Sequence, residues 1–257
     1  MKPFDDKVAL ITGGSSGIGA ASAMAFAREG AAVVIAARGR SQGESVVSQI
    51  ESTGGQALFV ETDVARSDDV RTMVAKTLDR FGHLDYAVNC AGIIGPRLTP
   101  VAEIEQEGWD EVIAVNLTGV WLSMKHEIPT MLAQGSGAIV NISSIYGLKP
   151  SEVGHAAYCA SKYGVIGLSK TAAVDYGQLG LRINVVAPGF TRSGIIHPET
   201  EEAAERYRVL VRKHSAMNRL GDASETAALV TWLCSDAASF VNGAVLSVDG
   251  GDTSRLY

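Results

Sequence analysis

The stretch that most constrains the fold runs from Val8 to Ala27. Val8-Ala9-Leu10-Ile11 is a short apolar run of the kind that forms a buried strand. Thr12-Gly13-Gly14-Ser15-Ser16-Gly17-Ile18-Gly19 follows, and then Ala20 to Ala27, a strong helix former. Strand, glycine turn and helix in that order form the first part of a crossover unit packed on a sheet. The turn also has a chemical reading. Glycine lacks a Cβ, so a pyrophosphate can approach the backbone amides, and the helix N-terminus favours its negative charge. The spacing here is GxxxGxG, whereas the more familiar dinucleotide fingerprint is GxGxxG, so a tight turn without a ligand stays open as an alternative at this point.

The alternation continues downstream. Apolar runs at Ala32–Ala37, Ala57–Val60, Leu84–Val88, Ala138–Ile142 and Arg182–Ala187 read as further strands. Helical stretches separate them: Gln42 to Thr53, Asp68 to Phe81, Val101 to Leu132, a helix through Tyr158 to about Tyr176, and Ser224 to Leu233 after the last of these strands. Strands alternating with helices predict an α/β chain, one doubly wound parallel sheet of about seven strands with helices on both faces. Residues 1–257 contain no repeat, low-complexity segment or Pro/Gly linker, so a single domain is the simplest reading. Residues 190–221 break the rhythm, with Pro198 and a charged helical piece from Glu199 to Lys213. A long insertion at the carboxyl end of a parallel strand lies where open α/β sheets bind ligands, so it reads as a substrate lid in preference to a decorated surface loop.

Composition narrows the function. The net charge of -6 is spread without long runs of one sign, which gives no footprint for nucleic acid. No apolar stretch approaches a membrane span, and the charged start lacks the apolar core of a signal peptide. Cys90, Cys159 and Cys234 have neither metal-ligand spacing nor a disulfide framework. The expectation is a cytoplasmic protein with no metal, no nucleic acid and no membrane partner.

Several strand ends should open onto the same crevice as the glycine turn. They carry Asn89-Cys90-Ala91-Gly92, Asn141-Ile142-Ser143-Ser144 and Pro188-Gly189, with Asn116 on the helical stretch before the fifth strand. Tyr158 and Lys162 sit four apart on the following helix and so share a face. An ammonium beside a phenol favours the phenolate, which predicts a lowered Tyr158 pKa and proton exchange near neutral pH.

Together these elements resemble the short-chain dehydrogenase/reductase family in its common form of about 250 residues. The resemblance rests on the TGxxxGIG turn at Thr12–Gly19, Asn89-Cys90-Ala91-Gly92, Asn116, Ser143-Ser144-Ile145-Tyr146-Gly147, the Y-x-x-x-K pair, Pro188-Gly189 and Val248-Asp249-Gly250-Gly251. It implies a role for each. Tyr158 exchanges a proton with the substrate oxygen, and Ser144 steadies that oxygen. Lys162 lowers the Tyr158 pKa and bonds the nicotinamide ribose, and Asn116 holds a water in a proton relay. Gly13, Ser15, Ser16, Gly17, Ile18 and Gly19 form the phosphate turn, Asp63 and Val64 contact the adenine, and Asn89, Ala91 and Gly92 line the cofactor backbone. Pro188, Gly189 and Thr191 border the nicotinamide. Ser193 stands where the family usually has Thr, and keeps the hydroxyl.

An acidic residue at the end of the second strand would bond a ribose 2′-hydroxyl, but here Ala37 is followed by Arg38. A guanidinium suits a phosphate, so NADP(H) is favoured over NAD(H). Ile94, Ile145, Tyr146, His155 and Phe190 are candidate substrate-wall residues for a small free ketone or secondary alcohol. The family's acyl-carrier-protein ketoreductases are the alternative. Their flanking helices tend to carry basic residues, and Thr130–Gly137 and Thr171–Val174 carry none. A non-catalytic cofactor sensor would have lost Ser144, Tyr158 or Lys162, and all three are present. Opposite Tyr158, its helix shows Ala156, Ala160, Gly164, Gly167, Thr171 and Val174, a small uncharged stripe that predicts a homo-oligomer, a tetramer with twofold axes.

Overall fold

The chain alternates between strand and helix because its apolar residues alternate between two periods. A computed structural model describes residues 2–152, 154–192, 205, 209, 211, 212 and 214–254. In order it gives β1 (Val8–Thr12), α1 (Gly17–Arg28), β2 (Ala32–Ala37), α2 (Arg40–Ser52), β3 (Ala57–Glu61), α3 (Ser67–Phe81), β4 (Tyr86–Asn89) and α4 (Gln106–Ile113). Then come α5 (Gly119–Gln134), β5 (Gly137–Ile142), α6 (Ala156–Gly177), β6 (Leu181–Pro188), β7 (Thr191–Arg192), β8 (Gly221–Asp222), α7 (Ala223–Cys234) and β9 (Val245–Val248). Seven strands form one sheet in the order β3-β2-β1-β4-β5-β6-β9, every pairing parallel. β7 and β8 form a separate two-stranded pair.

Successive strand side chains point to opposite faces, so each buried strand feeds two cores. On β1, Leu10 joins a core with α3, α5 and α6 through Met73, Met131 and Val165. Its neighbours Ala9 and Ile11 join the other core, with Phe26 of α1, Ile50 of α2 and Leu233 of α7. Phe4, Phe26 and Tyr86 cluster there, with ring centroids 5.0–5.7 Å apart. Fully burying one such side chain stabilises by about 1.5–3 kcal/mol. The helix ends are marked in sequence: α3 and α5 stop at Gly82 and Gly135, both left-handed (φ 84° and 75°).

The strand order reverses between β1 and β4. Crossovers from β1 and β4 leave in opposite directions and open a crevice at the carboxyl ends of the strands. Two expectations need adjustment. The helical stretch 101–132 is not one helix: Ala114–Thr118 forms a π turn between α4 and α5. Such turns recur at functional sites, and this one carries Asn116. On α6, Lys162, Val165 and Ser169 are buried, and Ala160, Gly167, Thr171 and Val174 are exposed as the helical period requires. Gly164 is different, because a Cβ there would lie 2.8 Å from Leu117 of the π turn, so it is a packing contact within the chain. The expected lid over 190–221 lies largely outside the described residues. Among the described residues, no helix is long and apolar enough to cross a membrane.

Candidate active site

A cavity of about 560 Å³ occupies the crevice. Its base is built from the turn after β1. Gly13 has φ +67°, and a Cβ on it would meet Ala91 N and Cα at 2.8 Å. A Cβ on Gly19 would lie 2.2 Å from the Gly13 carbonyl oxygen, so α1 can only start this close to the turn through glycine. The Thr12 hydroxyl accepts from Cys90 N at 3.1 Å and Ala91 N at 3.3 Å, tying the end of β1 to the loop after β4. Ser16 precedes α1 without a side-chain cap, so the first-turn amides are left for a ligand. That donor set, with no Cβ in the way, fits a pyrophosphate.

Ser144, Tyr158 and Lys162 line the same cavity. Ser144 closes β5 and accepts from Tyr146 N at 3.1 Å, and it shares a hydrogen bond with the Tyr158 hydroxyl. Ser143 donates to the Lys162 carbonyl at 2.9 Å. Gly147 has no room for a Cβ, which would lie 2.4 Å from Ser143 Oγ, so the Ser-Ser-x-x-Gly element seats its loop directly against α6. Lys162 Nζ donates to the Ile142 carbonyl at 2.9 Å and lies 5.6 Å from the Tyr158 ring centroid.

The electrostatics differ from the sequence expectation. Burial pushes the Tyr158 phenol up to about 12, against the opposing Ser144 hydrogen bond. Burial also brings Lys162 down to about 8. The physical reason is that both groups lose water, while the Lys162 donor is turned to a backbone carbonyl. In this arrangement Tyr158 is held protonated across neutral pH, as a proton donor requires.

Asn89 and Asn116 stand behind the wall rather than on it. Asn116 is fully buried; its Oδ1 accepts from Ile93 N and its Nδ2 donates to Ile93 O, both at 2.8 Å, and to Ser161 Oγ at 3.2 Å. The amide thus clamps the loop after β4 to α6. Asn89 Nδ2 donates to Asn141 Oδ1 at 2.9 Å and to Glu127 Oε2 at 3.1 Å. Asn141 in turn donates to Ser169 Oγ at 2.8 Å. Glu127 on α5 is completely buried, and burial pushes its carboxyl up to about 7. Neither Glu127 Oε1 nor Asn89 Oδ1 has a hydrogen-bond partner. Sequence reasoning missed Glu127, although it follows Met124 by three on the apolar face of its helix.

The remaining predicted residues divide between two ends. Arg38, Asp63 and Val64 line the end beside β2 and β3, with Ser15, Ser16, Gly17 and Ile18 at the turn. Ala91, Gly92, Pro188, Gly189 and Thr191 border the middle. Gly189 lies against Asp249, where a Cβ would meet Asp249 Cα at 2.7 Å, which accounts for the Val248–Gly251 element. Ile94, Ile145, Tyr146, His155 and Phe190 all line the other end. There Tyr146 meets His155 and Phe190 edge-on at 5.9 and 6.4 Å. Burial holds His155 below its ordinary pKa and Tyr146 above. Gly19 is buried beneath the turn, and Ser193 lies outside the described residues. Gln42 and Arg97 line the cavity and were not anticipated; the signal for Arg97 was its place in a loop after a strand end. No cluster of three or more metal-ligating side chains occurs among the described residues.

The family model described as enoyl-(acyl carrier protein) reductase matches residues 13–253. The chain is 42% identical to a cyclohexanol dehydrogenase from Acinetobacter sp. (strain SE19), covering 98% of this chain and 97% of that protein. It is also 42% identical to an A-factor type gamma-butyrolactone 1'-reductase (1S-forming) from Streptomyces virginiae, over 96% of each chain. Among solved structures, levodione reductase superposes with a TM-score of 0.92 at 35% identity, covering 98% of this chain and 100% of the other.

Proposed function

The chain belongs to the short-chain dehydrogenase/reductase family, and from that premise we propose that this oxidoreductase interconverts a small cyclic ketone and its secondary alcohol with NADP(H). The observation that carries the reading is a single cavity holding Ser144, Tyr158 and Lys162 between a phosphate-binding turn and an aromatic wall. Two similar proteins are named for ring compounds, a cyclohexanol and a γ-butyrolactone. The wall of Ile94, Ile145, Tyr146 and Phe190 suits a ring of that size. A panel of cyclic, aromatic and open-chain ketones tests the reading, and it falls if no ketone is reduced.

When bound, the nicotinamide supplies the hydride. The protein's part is the proton and the oxyanion. Tyr158, protonated at neutral pH, gives its proton to the substrate oxygen. Ser144 Oγ accepts from Tyr146 N, and its one hydrogen, shared in this structure with the Tyr158 hydroxyl, can turn to that oxygen as negative charge develops. The Lys162 ammonium then steadies the phenolate, and its remaining donors suit a ribose. Asp63 and Val64 suit the adenine, and Thr191 the carboxamide.

The choice of cofactor rests on Arg38, which is exposed on the cavity wall beside Ala37. Arg40, two residues on, is occupied by Glu61 at 2.8 Å and Glu44 at 3.3 Å, leaving Arg38 for a 2′-phosphate. Steady-state kinetics should give kcat/KM with NADPH at least roughly tenfold above that with NADH, the worth of a charge-assisted pair. The double variant Ala37→Asp/Arg38→Leu should reverse the order. Equal or better use of NADH by the unaltered protein refutes this choice.

The family model's description brings in a carrier-bound substrate as a second reading. Reduction of an acetoacetyl pantetheine thioester in preference to every cyclic ketone would favour it.

A homotetramer is the assembly we propose, with α6 at one interface. Val174 is 82% exposed, and a Cβ on Gly167 would meet no atom within 4 Å, so the outer stripe is smooth and open. Light scattering at micromolar concentration should show four chains, and Gly167→Arg should lower the mass. A monomer mass for the unaltered protein overturns the assembly.

A further inference from the structure

Two arginines stand apart from the rest. Arg40, Arg66, Arg71, Arg192, Arg212 and Arg219 pair with carboxylates. Arg28 and Arg182 donate to backbone carbonyls, and Arg80 lies over Phe81. Among the described residues, only Arg38 and Arg97 have no hydrogen-bond, ion-pair or ring partner, and both line the cavity. They belong to opposite ends of it. Arg38 has been assigned to the cofactor phosphate, and Arg97 stands beside His155 at the substrate end, where its charge adds to the burial that lowers the His155 pKa. Asp63 is the one acidic residue among the described lining of the cavity, and it sits at the Arg38 end, its carboxylate accepting from Ala65 N at 3.0 Å.

Arg97 is not on a loosely held loop. Both backbone groups of Ile93 are clamped by Asn116 at 2.8 Å. Gly95, at φ +71°, lies where a Cβ would be 2.1 Å from Val112, and Pro96 lies against Gly108. The Arg97 carbonyl accepts from the Thr99 hydroxyl at 3.1 Å. Leu98, next in the chain, holds a positive φ of 56° that a leucine rarely adopts. A fixed backbone therefore carries an unpaired guanidinium to the rim of an otherwise apolar and aromatic wall. Such a group recognises a planar anion through two parallel N–H···O bonds.

We infer that the substrate carries a carboxylate on its ring, away from the reacting carbon, and that Arg97 binds it. The inference rests on the ketone reading above and narrows it. Arg97 is then a residue of substrate choice, outside the proton-transfer set.

The test compares 4-oxocyclohexanecarboxylate with cyclohexanone at saturating NADPH. The ratio of their kcat/KM values should be roughly tenfold in favour of the carboxylate, the order expected of a charge-assisted pair. It should fall towards one in Arg97→Met, stay intermediate in Arg97→Lys, and shrink with added salt. A ratio near one in the unaltered protein, or a ratio that Arg97→Met leaves in place, overturns the inference while the ketone reading stands. Calorimetric binding of cyclohexanecarboxylate to the NADPH-loaded protein separates the remaining cases. If neither ketone is reduced but this acid binds and Arg97→Met abolishes binding, the anion site holds and the ketone reading falls. If neither ketone is reduced and the acid does not bind, both fall.

Discussion

Tyr158→Phe is expected to lower ketone reduction by roughly 10²–10⁴-fold, the usual contribution of a positioned acid or base. Phenylalanine keeps the ring of the tyrosine and removes only the hydroxyl with its proton. Burial keeps that proton on the phenol up to about 12, and the phenol lines the cavity together with Ser144. The Lys162 ammonium is engaged elsewhere, its Nζ donating to the Ile142 carbonyl and lying 5.6 Å from the Tyr158 ring centroid. Cofactor affinity, read by quenching of protein fluorescence, should change little, because the phosphate turn is independent of this hydroxyl. A variant that turns over near the unaltered rate removes Tyr158 from the role.

The second large effect is on stability. Glu127 is completely buried, receives one hydrogen bond, and has a folded pKa pushed up to about 7. A carboxyl in the unfolded chain titrates near about 4.3. The folded state therefore holds this proton more tightly, so stability falls as pH rises from the unfolded value through about 7, and levels off above it. From these two values the cost to the folded protein at pH 8 is roughly 3–4 kcal/mol. Glu127→Gln removes the titration and keeps the shape. Its amide can still accept from Asn89 Nδ2, and its new N–H group can serve the unpartnered Asn89 Oδ1. The glutamine variant should be the more stable protein at pH 8 by up to that amount, with the gap closing towards pH 4.5. Denaturant midpoints at the two pH values measure it. A glutamine variant no more stable at pH 8, or a gap independent of pH, would show that Glu127 is not held as the neutral acid.

Most of the fold can be read from the chain because parallel strands buried on both faces leave unbroken apolar runs, such as Ala32–Ala37 and Ala138–Ile142. The glycines at 13, 19, 147 and 189 can be read for a related reason: backbone packs against backbone there, and only one residue type fits. Other features lay beyond the sequence because they depend on which way a side chain turns after the elements meet. Asn116 belongs to a run that reads as continuous helix, and its π turn is set by the partners it finds at Ile93 and Ser161. Asn89 closes a strand at the crevice yet turns down to Asn141 and Glu127. The pairing of Tyr158 with Lys162 follows from spacing, but the sign of the phenol's shift depends on burial, which spacing does not report. Gly164 lies on the outward stripe by helical period and is covered by a leucine from a π turn that the period could not supply.

The contact between Gly13 and Ala91 limits how this enzyme can diverge. Two main chains touch at the bottom of the crevice, and no substitution enlarges or reshapes a surface made of peptide backbone. Variation in what the protein accepts is therefore confined to its margins, where Arg38 and Arg97 extend from loops beyond that contact. A directed-evolution library seeking a new cofactor or substrate should leave residues 12–19 and 89–92 fixed and randomise those two margins. They are separate stretches of chain, so each can be varied without altering the other.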